Sequence, residues 1–190
     1  MPFQEVIDFW FSPRVKAKHW DKDPDFDAEI RTRFAELHHQ AQADKLSHWR
    51  QAADGRLAEI IVLDQFSRNM FRDSAEMYAA DAKALNAAVA ALDAGFDVEL
   101  PFHHRVFLYM PLMHAESVAL QQRCVHLFEQ LVQQAQEDAL RNKAETHLRY
   151  AIAHRDIVQR FGRFPHRNAI LGRQSTAEEL EFLKQPGSRF

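Results

Sequence analysis

The segment 57–72, LAEIIVLDQFSRNMFR, carries polar side chains on a helix that is otherwise apolar. At 100° per residue, its apolar side chains surround the helix axis, which is typical of a buried helix. Five polar residues share one sector of about 140°: Asp64, Gln65, Arg68, Asn69 and Arg72. The sector is either a solvated outer face with an i, i+4 pair of Asp64 and Arg68, or the wall of a polar pocket.

A second concentration of polar groups lies in the segment 157–177, which contains no acidic residue. Its arginines are Arg160, Arg163, Arg167 and Arg173. Arginine is suited to bidentate contact with a carboxylate or a phosphate, and the same loop contains His166 and Asn168. The sequence therefore predicts anion binding by this loop. The alternative is that Arg163 and Arg167 cap helix carbonyls and pair with acids such as Glu178.

Three further histidines are candidates for acid or base chemistry: His104, His114 and His154. A reference pKa near 6.5 suits proton transfer at neutral pH, and Asp64 could orient an arginine or a histidine. The alternative for His154, which shares an apolar helical face with Ile157, is a hydrogen-bonded core residue. The sequence contains no HExxH or CxxC signature, and no metal site is predicted.

Composition limits the fold class and the cofactors. The 190 residues include five glycines, few for a β-sandwich, a barrel or a nucleotide-binding α/β fold, and one cysteine, too few for an internal disulfide. This cysteine, Cys124, lies in an apolar stripe and is expected to be a buried core thiol. No glycine-rich phosphate loop is present, and no cofactor is predicted. Length and hydrophobic content indicate one folded domain, residues 1–190.

Charge and hydropathy limit the partners and the location. The net charge of −3 argues against nucleic acid. The longest strongly apolar run, 106–113, is far shorter than the roughly 20 residues of a membrane span. The first residues, MPFQEVIDFWF, lack the basic region of a signal peptide. We therefore expect a cytoplasmic protein without membrane contact, and the oligomeric state stays open.

Helical periodicity extends along the chain, and no strand alternation of useful length is present. A short helical face at Val6, Phe9 and Trp10 precedes an amphipathic helix that starts in an acidic segment. A turn at Asp54–Gly55 precedes a long helix over 56–71, and a helix over 79–94 ends at Gly95.

The second half of the chain is also predicted to be helical. Pro101 opens a segment that Pro111 kinks or ends. Because neither glycine nor proline occurs between Pro111 and Gly162, we expect two helices in a hairpin that turns between Gln134 and Asn142. A capping box at Ser175-Thr176 precedes a final helix that ends near Lys184. The predicted fold is all-α and built from antiparallel helix pairs.

Three strings carry a resemblance to a known family: VLDQFSRNMFR, LPFHHRVFLYMPLMHAES and HRDIVQRFGRFPHRNAILGRQST. With the opening VIDFWF, the chain resembles, over nearly its whole length, the bacterial family catalogued as domain of unknown function 924. The resemblance implies a tetratricopeptide-like right-handed α-α superhelix and no established activity. The chain departs from the family pattern in two places: Ser67 stands where the family has proline, and Asp73-Ser74 where it has Gly-Thr.

The resemblance also implies a set of motif residues: Asp64, Gln65, Arg68, Asn69, Arg72, Asp81, His104, Arg105, His114, Glu116, His154, Asp156, Gly162, Arg163, Pro165, His166, Arg167, Asn168 and Arg173. These overlap with the candidates chosen from charge on apolar faces. We therefore expect one shared site between the central helix, the segment from His104 to His114 and the arginine-rich loop.

Two functions follow from these residues, with catalysis left open. The first is binding of an anionic small molecule that carries phosphate or carboxylate, with acid–base or hydrolytic chemistry as a further option. Its binding residues would be Arg68, Asn69, Arg72, Arg105, Arg163, His166, Arg167 and Asn168. The second is a tetratricopeptide-like scaffold that binds an acidic peptide or a partner protein. A third interpretation is a polar network with a purely structural role.

Overall fold

A computed structural model describes residues 1–189 of the chain, and those residues form helices and turns without a β-strand. The all-α prediction is therefore confirmed. The helices are α1 (Phe3–Trp10), α2 (Pro13–Lys16), α3 (Pro24–Gln42), α4 (Ala53–Ile61), α5 (Ser67–Met70), α6 (Asp81–Asp93), α7 (Phe102–Met113), α8 (Val118–Gln134), α9 (Asp138–Phe161) and α10 (Ala177–Phe182).

The chain divides into two compact units, Met1–Pro111 and Leu112–Phe190, which are described separately. Each unit has its own buried apolar side chains. One domain over residues 1–190 and a tetratricopeptide-like superhelix stay predictions.

In the first unit, α3 is the amphipathic helix that the sequence predicted. Asp23 caps its first turn by accepting hydrogen bonds from the backbone N–H groups of Asp25 and Phe26, at 3.0 Å each. Its apolar side chains are buried: Phe26, Ile30, Phe34 and Leu37. This face packs against α5 and the turn that precedes it.

The predicted long helix over 56–71 is continuous but not uniformly α-helical. It begins at Ala53 as α4, widens into a π-helical turn over Val62–Phe66, and continues as α5. Such wide turns are rare in proteins overall, and those that do occur are often found at functional sites. Asp64 and Gln65 lie in this turn, and both are buried, at 0% and 6% exposure.

Asp54 and Gly55, which the sequence assigned to a turn, lie in the first turn of α4 instead. A Cβ atom at Gly55 would lie 2.1 Å from the carbonyl oxygen of Trp49. The short 3₁₀ helix Ser47–Gln51 can therefore approach α4 closely only because residue 55 is glycine. This close approach positions Arg50, which belongs to the 3₁₀ helix, beside α4.

The ends of helices α6 and α7 differ slightly from the predicted ones. Helix α6 covers most of the predicted 79–94 and is followed by Gly95 in the left-handed conformation, at φ 73°. Pro111, predicted to kink or end its helix, does not end it, because α7 includes Pro111 and runs on to Met113. The kink stays a prediction. A proline inside a helix lacks its backbone N–H and its ring crowds the carbonyl four residues earlier, and α7 continues past both.

The second unit is built on the predicted hairpin. Helices α8 and α9 pack on each other and are joined by residues 135–137, inside the interval that the sequence predicted. Cys124 on α8 is buried as expected, and burial raises the pKa of its thiol.

The arginine-rich loop follows α9 and leads into α10. Gly162 ends α9 in the left-handed conformation, at φ 70°, and its N–H donates to the carbonyl of Val158. Thr176 and Glu179 form the predicted capping box. Helix α10 ends at Phe182, before the predicted Lys184.

We expect Gly55→Ala to lower the free energy of unfolding by about 1–3 kcal/mol, because the new Cβ would overlap the Trp49 carbonyl. A decrease in the free energy of unfolding would point to the Trp49 contact, because replacing glycine by alanine inside an unobstructed helix increases it by about 1 kcal/mol. Urea denaturation followed by circular dichroism measures the change. Gln51→Ala, at an exposed position of the adjacent turn, serves as the control and should stay within about 0.5 kcal/mol of wild type.

Candidate functional site

The predicted pair of Asp64 and Arg68 forms inside the first unit, at 2.9 Å. The guanidinium of Arg68 also makes two hydrogen bonds to the carboxylate of Asp81, of 2.9 and 3.1 Å, and one to the Asp64 carbonyl. Burial alone would lower the pKa of Arg68, but the charges of Asp64 and Asp81 outweigh it and raise the pKa. Arg68 is therefore a fixed cation between two carboxylates.

Asn69 and Arg72, the next members of the polar sector, converge on Asp27 of α3. Asn69 donates to its carboxylate at 2.7 Å, and Arg72 donates two hydrogen bonds of 2.6 and 2.8 Å. The hydrogen bonds to Asp27 raise the pKa of Arg72. This side of the sector fastens α5 to α3.

Ser67 connects the wide turn to α3. Its hydroxyl donates to the Leu63 carbonyl at 2.6 Å and lies 2.7 Å from Nε2 of His38. Because the hydroxyl proton is used on Leu63, the contact with His38 requires Nε2 to donate. Burial lowers the pKa of His38 to about 4, so the imidazole is neutral at pH 7.

His104 and Arg105 lie on α7, still within the first unit. The His104 ring stacks on Phe11 at a centroid distance of 3.7 Å, and its Nδ1 lies 3.6 Å from a carboxylate oxygen of Asp54. Burial lowers the pKa of His104 against the opposing effect of Asp54. Arg105 donates to the backbone carbonyls of Leu100 and Val98, at 3.0 and 3.2 Å.

In the second unit, Arg163 and Asn168 both bind Glu179 of α10. Arg163 donates two hydrogen bonds to its carboxylate, of 2.7 and 2.8 Å, and Asn168 donates a third of 3.3 Å. The Arg163 contact lowers the pKa of Glu179 to about 2. The alternative in which arginines of the loop pair with α10 is therefore realised for Arg163, and the neighbouring Glu178 pairs with Arg160.

Glu116 binds the loop from the segment between α7 and α8. Its carboxylate accepts two hydrogen bonds from Arg173, of 2.6 and 2.9 Å, and one of 2.8 Å from the backbone N–H of Phe164. Burial raises the pKa of Glu116, but these contacts outweigh it and the pKa is lowered. Two of the four arginines in the acid-free segment are thus held within this unit by Glu116 and Glu179.

The remaining candidates gather around the ring of Phe164, which is fully buried. We call this group the Phe164 cluster: Phe164, His114, His154, His166 and Arg167. The guanidinium carbon of Arg167 lies 4.5 Å from the Phe164 ring centroid, and the rings of His154 and His166 each lie 5.6 Å from it. His114 lies 6.4 Å from His154, ring to ring.

Two histidines of the Phe164 cluster, His154 and His166, are neutral at pH 7. Burial is the main cause of the lowered pKa of His154, about 3, and the nearby His114 and Arg167 lower it further. Burial and the charge of Arg167 lower the pKa of His166 to about 4. Arg167 contributes a fixed positive charge to the cluster, and this charge also lowers the pKa of the nearby Glu116.

The structure brings the predicted residues together in groups within each unit. The shared site that the sequence suggested joins residues of both units and stays a prediction. No group of three or more His, Cys, Asp or Glu side chains within residues 1–189 could hold a metal ion. In the same part of the chain, every helix is too short or too polar to cross a membrane.

Two buried acidic residues were not among the predictions: Asp27, which completes the group around Arg72, and Glu59, which lies outside these groups. Asp27 was read as part of an acidic helix start, yet it shares the buried face of α3 with Ile30 and is only 8% exposed. Glu59 stands between buried apolar neighbours on α4 and is 1% exposed. An acid at an apolar position was the available signal in both cases.

The comparisons with known proteins agree with the sequence strings. Residues 6–187 match a family model described as "Bacterial protein of unknown function (DUF924)". A solved structure of a protein of unknown function from Agrobacterium tumefaciens is 40% identical to the chain, with a TM-score of 0.83 and coverage of 97% of each chain. No curated protein matches the chain. The predicted resemblance is confirmed, and the structural likeness supports the all-α fold.

We expect Arg68→Ala to lower the free energy of unfolding by about 3–5 kcal/mol, because it leaves the buried carboxylate of Asp64 without its cation. Urea denaturation measures the loss. Arg14→Ala is the matched control, since Arg14 makes a similar two-hydrogen-bond contact with Glu29 at the surface. That variant should lose about 1 kcal/mol or less. Equal losses in the two variants would contradict a buried role for Arg68.

We expect Glu179→Gln to be less stable than wild type at neutral pH, with a deficit that shrinks in acid. The folded pKa of Glu179, about 2, lies below the ordinary value of 4.5. The stabilisation is therefore complete above the unfolded pKa and is lost as the pH falls through the folded one. Denaturation of both proteins at about pH 7 and about pH 3 measures the difference. Glu178→Gln, at an exposed neighbour, should show no such trend.

Proposed function

Because the chain belongs to this bacterial family of proteins of unknown function, we propose its function from the geometry of its own side chains. We propose that the Phe164 cluster binds an anionic small molecule, with Arg167 in contact with the phosphate or carboxylate group. Arg163 supports such a site indirectly, because its ion pair with Glu179 holds α10 against the loop of the same unit.

The observation that carries the proposal is the burial of Arg167 in an aromatic environment. The residue is 7% exposed and its guanidinium lies over the buried ring of Phe164. A guanidinium stays charged at any physiological pH, so the cluster holds a permanent cation with little water around it. Electrostatic attraction to an anion is stronger in such a setting than at a solvated surface.

The imidazoles favour binding over acid–base catalysis. Nδ1 of His154 lies 2.8 Å from the Tyr150 carbonyl, which can only accept, so Nδ1 carries the proton and Nε2 is the acceptor atom of the neutral ring. With a pKa of about 3, His154 is a weak general base at neutral pH. His154 therefore suits a hydrogen bond to a ligand better than proton abstraction.

The scaffold alternative predicts a different occupant. An acidic peptide binds along an exposed face, whereas a small anion fits a buried guanidinium. The burial of Arg167 favours the small molecule, and a peptide partner is one outcome that the following experiment can detect.

We expect inorganic phosphate to raise the pKa of His154 and His166, since a bound anion favours the charged form of a nearby imidazole. Nuclear magnetic resonance titration of the histidine Cε1–H signals, with and without phosphate and acetate, measures both values. Arg167→Gln should abolish the phosphate-dependent change. Arg160→Gln is the matched control, because Arg160 also lies over a phenylalanine ring, Phe161, at 4.7 Å.

The proposal fails if neither anion moves the histidine titrations, or if Arg167→Gln and Arg160→Gln respond alike. A change produced by an acidic peptide and by neither small anion would favour the scaffold function instead. Thermal unfolding of both variants verifies that they are folded before the titrations are compared.

A further inference from the structure

A half-open cavity of about 280 Å³ lies in the first unit, where α4 and α6 pack together. Arg56 and Glu59 line it from α4, Lys83 and Asn86 from α6, and Arg50 from the 3₁₀ helix before α4. These residues are separate from the predicted motif set and from the Phe164 cluster. A cavity of this size is at the lower end of the range for small-molecule sites.

Four of the charged groups around the cavity neutralise one another. Glu59, which is 1% exposed, accepts three hydrogen bonds of 2.6 to 3.1 Å from Arg50. Arg50 also binds Asp44 at 3.0 Å, and Asp44 binds Lys83 at 2.6 Å. Two carboxylates thus balance two cations in one connected chain.

Arg56 stands outside this balanced chain. Its guanidinium carbon lies 5.1 Å from the ring centroid of Phe96. Across residues 1–189, no acceptor is within hydrogen-bond reach of its buried Nε, and no carboxylate pairs with its charge. A buried N–H without an acceptor costs about 1–3 kcal/mol, so the position of Arg56 is unfavourable unless something accepts from it.

The cavity therefore has one positive charge in excess: three cations, Arg50, Arg56 and Lys83, face two anions, Asp44 and Glu59. The rest of its wall includes apolar groups, among them Leu63, Ala87 and Ala90. A ligand that matches both properties has one negative charge and a short apolar part. Among common anions, a carboxylate has the single charge and the planar shape that a guanidinium binds in a bidentate manner.

We propose that this cavity is a binding site for a small organic carboxylate, which Arg56 holds as its cationic partner. The amide of Asn86 adds a polar group at the same wall, and the methyl groups of Ala87 and Ala90 contact the aliphatic part. Gly55 contributes to the site, since the close approach of the Trp49 turn brings Arg50 onto Glu59 and leaves Arg56 as the unpaired cation.

The test uses butyrate as the probe and the Nε–H signal of Arg56 as the reporter, in proton–nitrogen correlation spectra of the full chain. We expect a saturable downfield shift of this signal, with a dissociation constant of about 1 mM or tighter. Butylamine, which has the same apolar part and the opposite charge, should leave the signal in place. Inorganic phosphate, which lacks the apolar part, should bind more weakly than butyrate.

Variants of Arg56 and of a control arginine test whether butyrate binds in this cavity. Arg56→Gln should weaken butyrate binding about tenfold or more, because a charged hydrogen-bond partner is lost, and Arg56→Lys should recover part of it. Arg33→Gln is the matched control: Arg33 also lies over a phenylalanine, Phe9, at 4.4 Å, and is remote from the cavity lining. Because Arg56 has no carboxylate partner in the structure and only the Phe96 ring beside its guanidinium, its variants should stay within a few degrees of the wild-type melting temperature.

The proposal is overturned by the absence of a saturable shift, by equal butyrate affinity in Arg56→Gln and wild type, or by phosphate binding more tightly than butyrate. It is independent of the function proposed for the Phe164 cluster. Arg167→Gln should leave the Arg56 signal and its response to butyrate unchanged, so failure of one site is distinguishable from failure of the other.

Discussion

Each buried carboxylate of this protein needs an arginine, and that requirement determines how its helices are joined. An unpaired charge in a protein interior is too costly to keep, whereas a paired and hydrogen-bonded one is tolerated. Asp64 is held by Arg68, Glu59 by Arg50, and Glu179 by Arg163. Asp27 is held by Arg72, 45 residues away in sequence, and this pair restricts how the apolar faces of the first unit can pack.

This requirement separates two kinds of arginine. Most of the arginines that the sequence marked as ligand-binding candidates contact a carboxylate or a backbone carbonyl inside their own unit, as Arg72 and Arg105 do. Arg56 contacts neither, and Arg167, whose charge also acts on Glu116, lies over the buried ring of Phe164. The environment of an arginine, and not its presence in a motif, therefore determines what it can bind.

Much of the fold was predictable from local patterns. Apolar periodicity located α3 and the hairpin of α8 and α9, and the chemistry of Gly95, Gly162 and Thr176 located helix ends. The candidate site was less predictable. The polar sector of 57–72 was visible in the sequence, but its partner Asp27 lies on another helix, and only tertiary packing brings the two together. The role of Arg56 was not predictable from the sequence, because the balance of charges around it depends on residues from three elements.

The number of residues in the wide turn over Val62–Phe66 sets the direction in which the side chains of α5 point around the helix axis. Each residue of an α-helix advances the side-chain direction by about 100°. Removal of one residue from this turn would therefore rotate α5 by about that angle relative to α4, and carry Arg68 and Arg72 away from Asp81 and Asp27 together. The chain length of a single turn thus sets which carboxylates two arginines can reach, and insertions or deletions there are far less tolerable than substitutions.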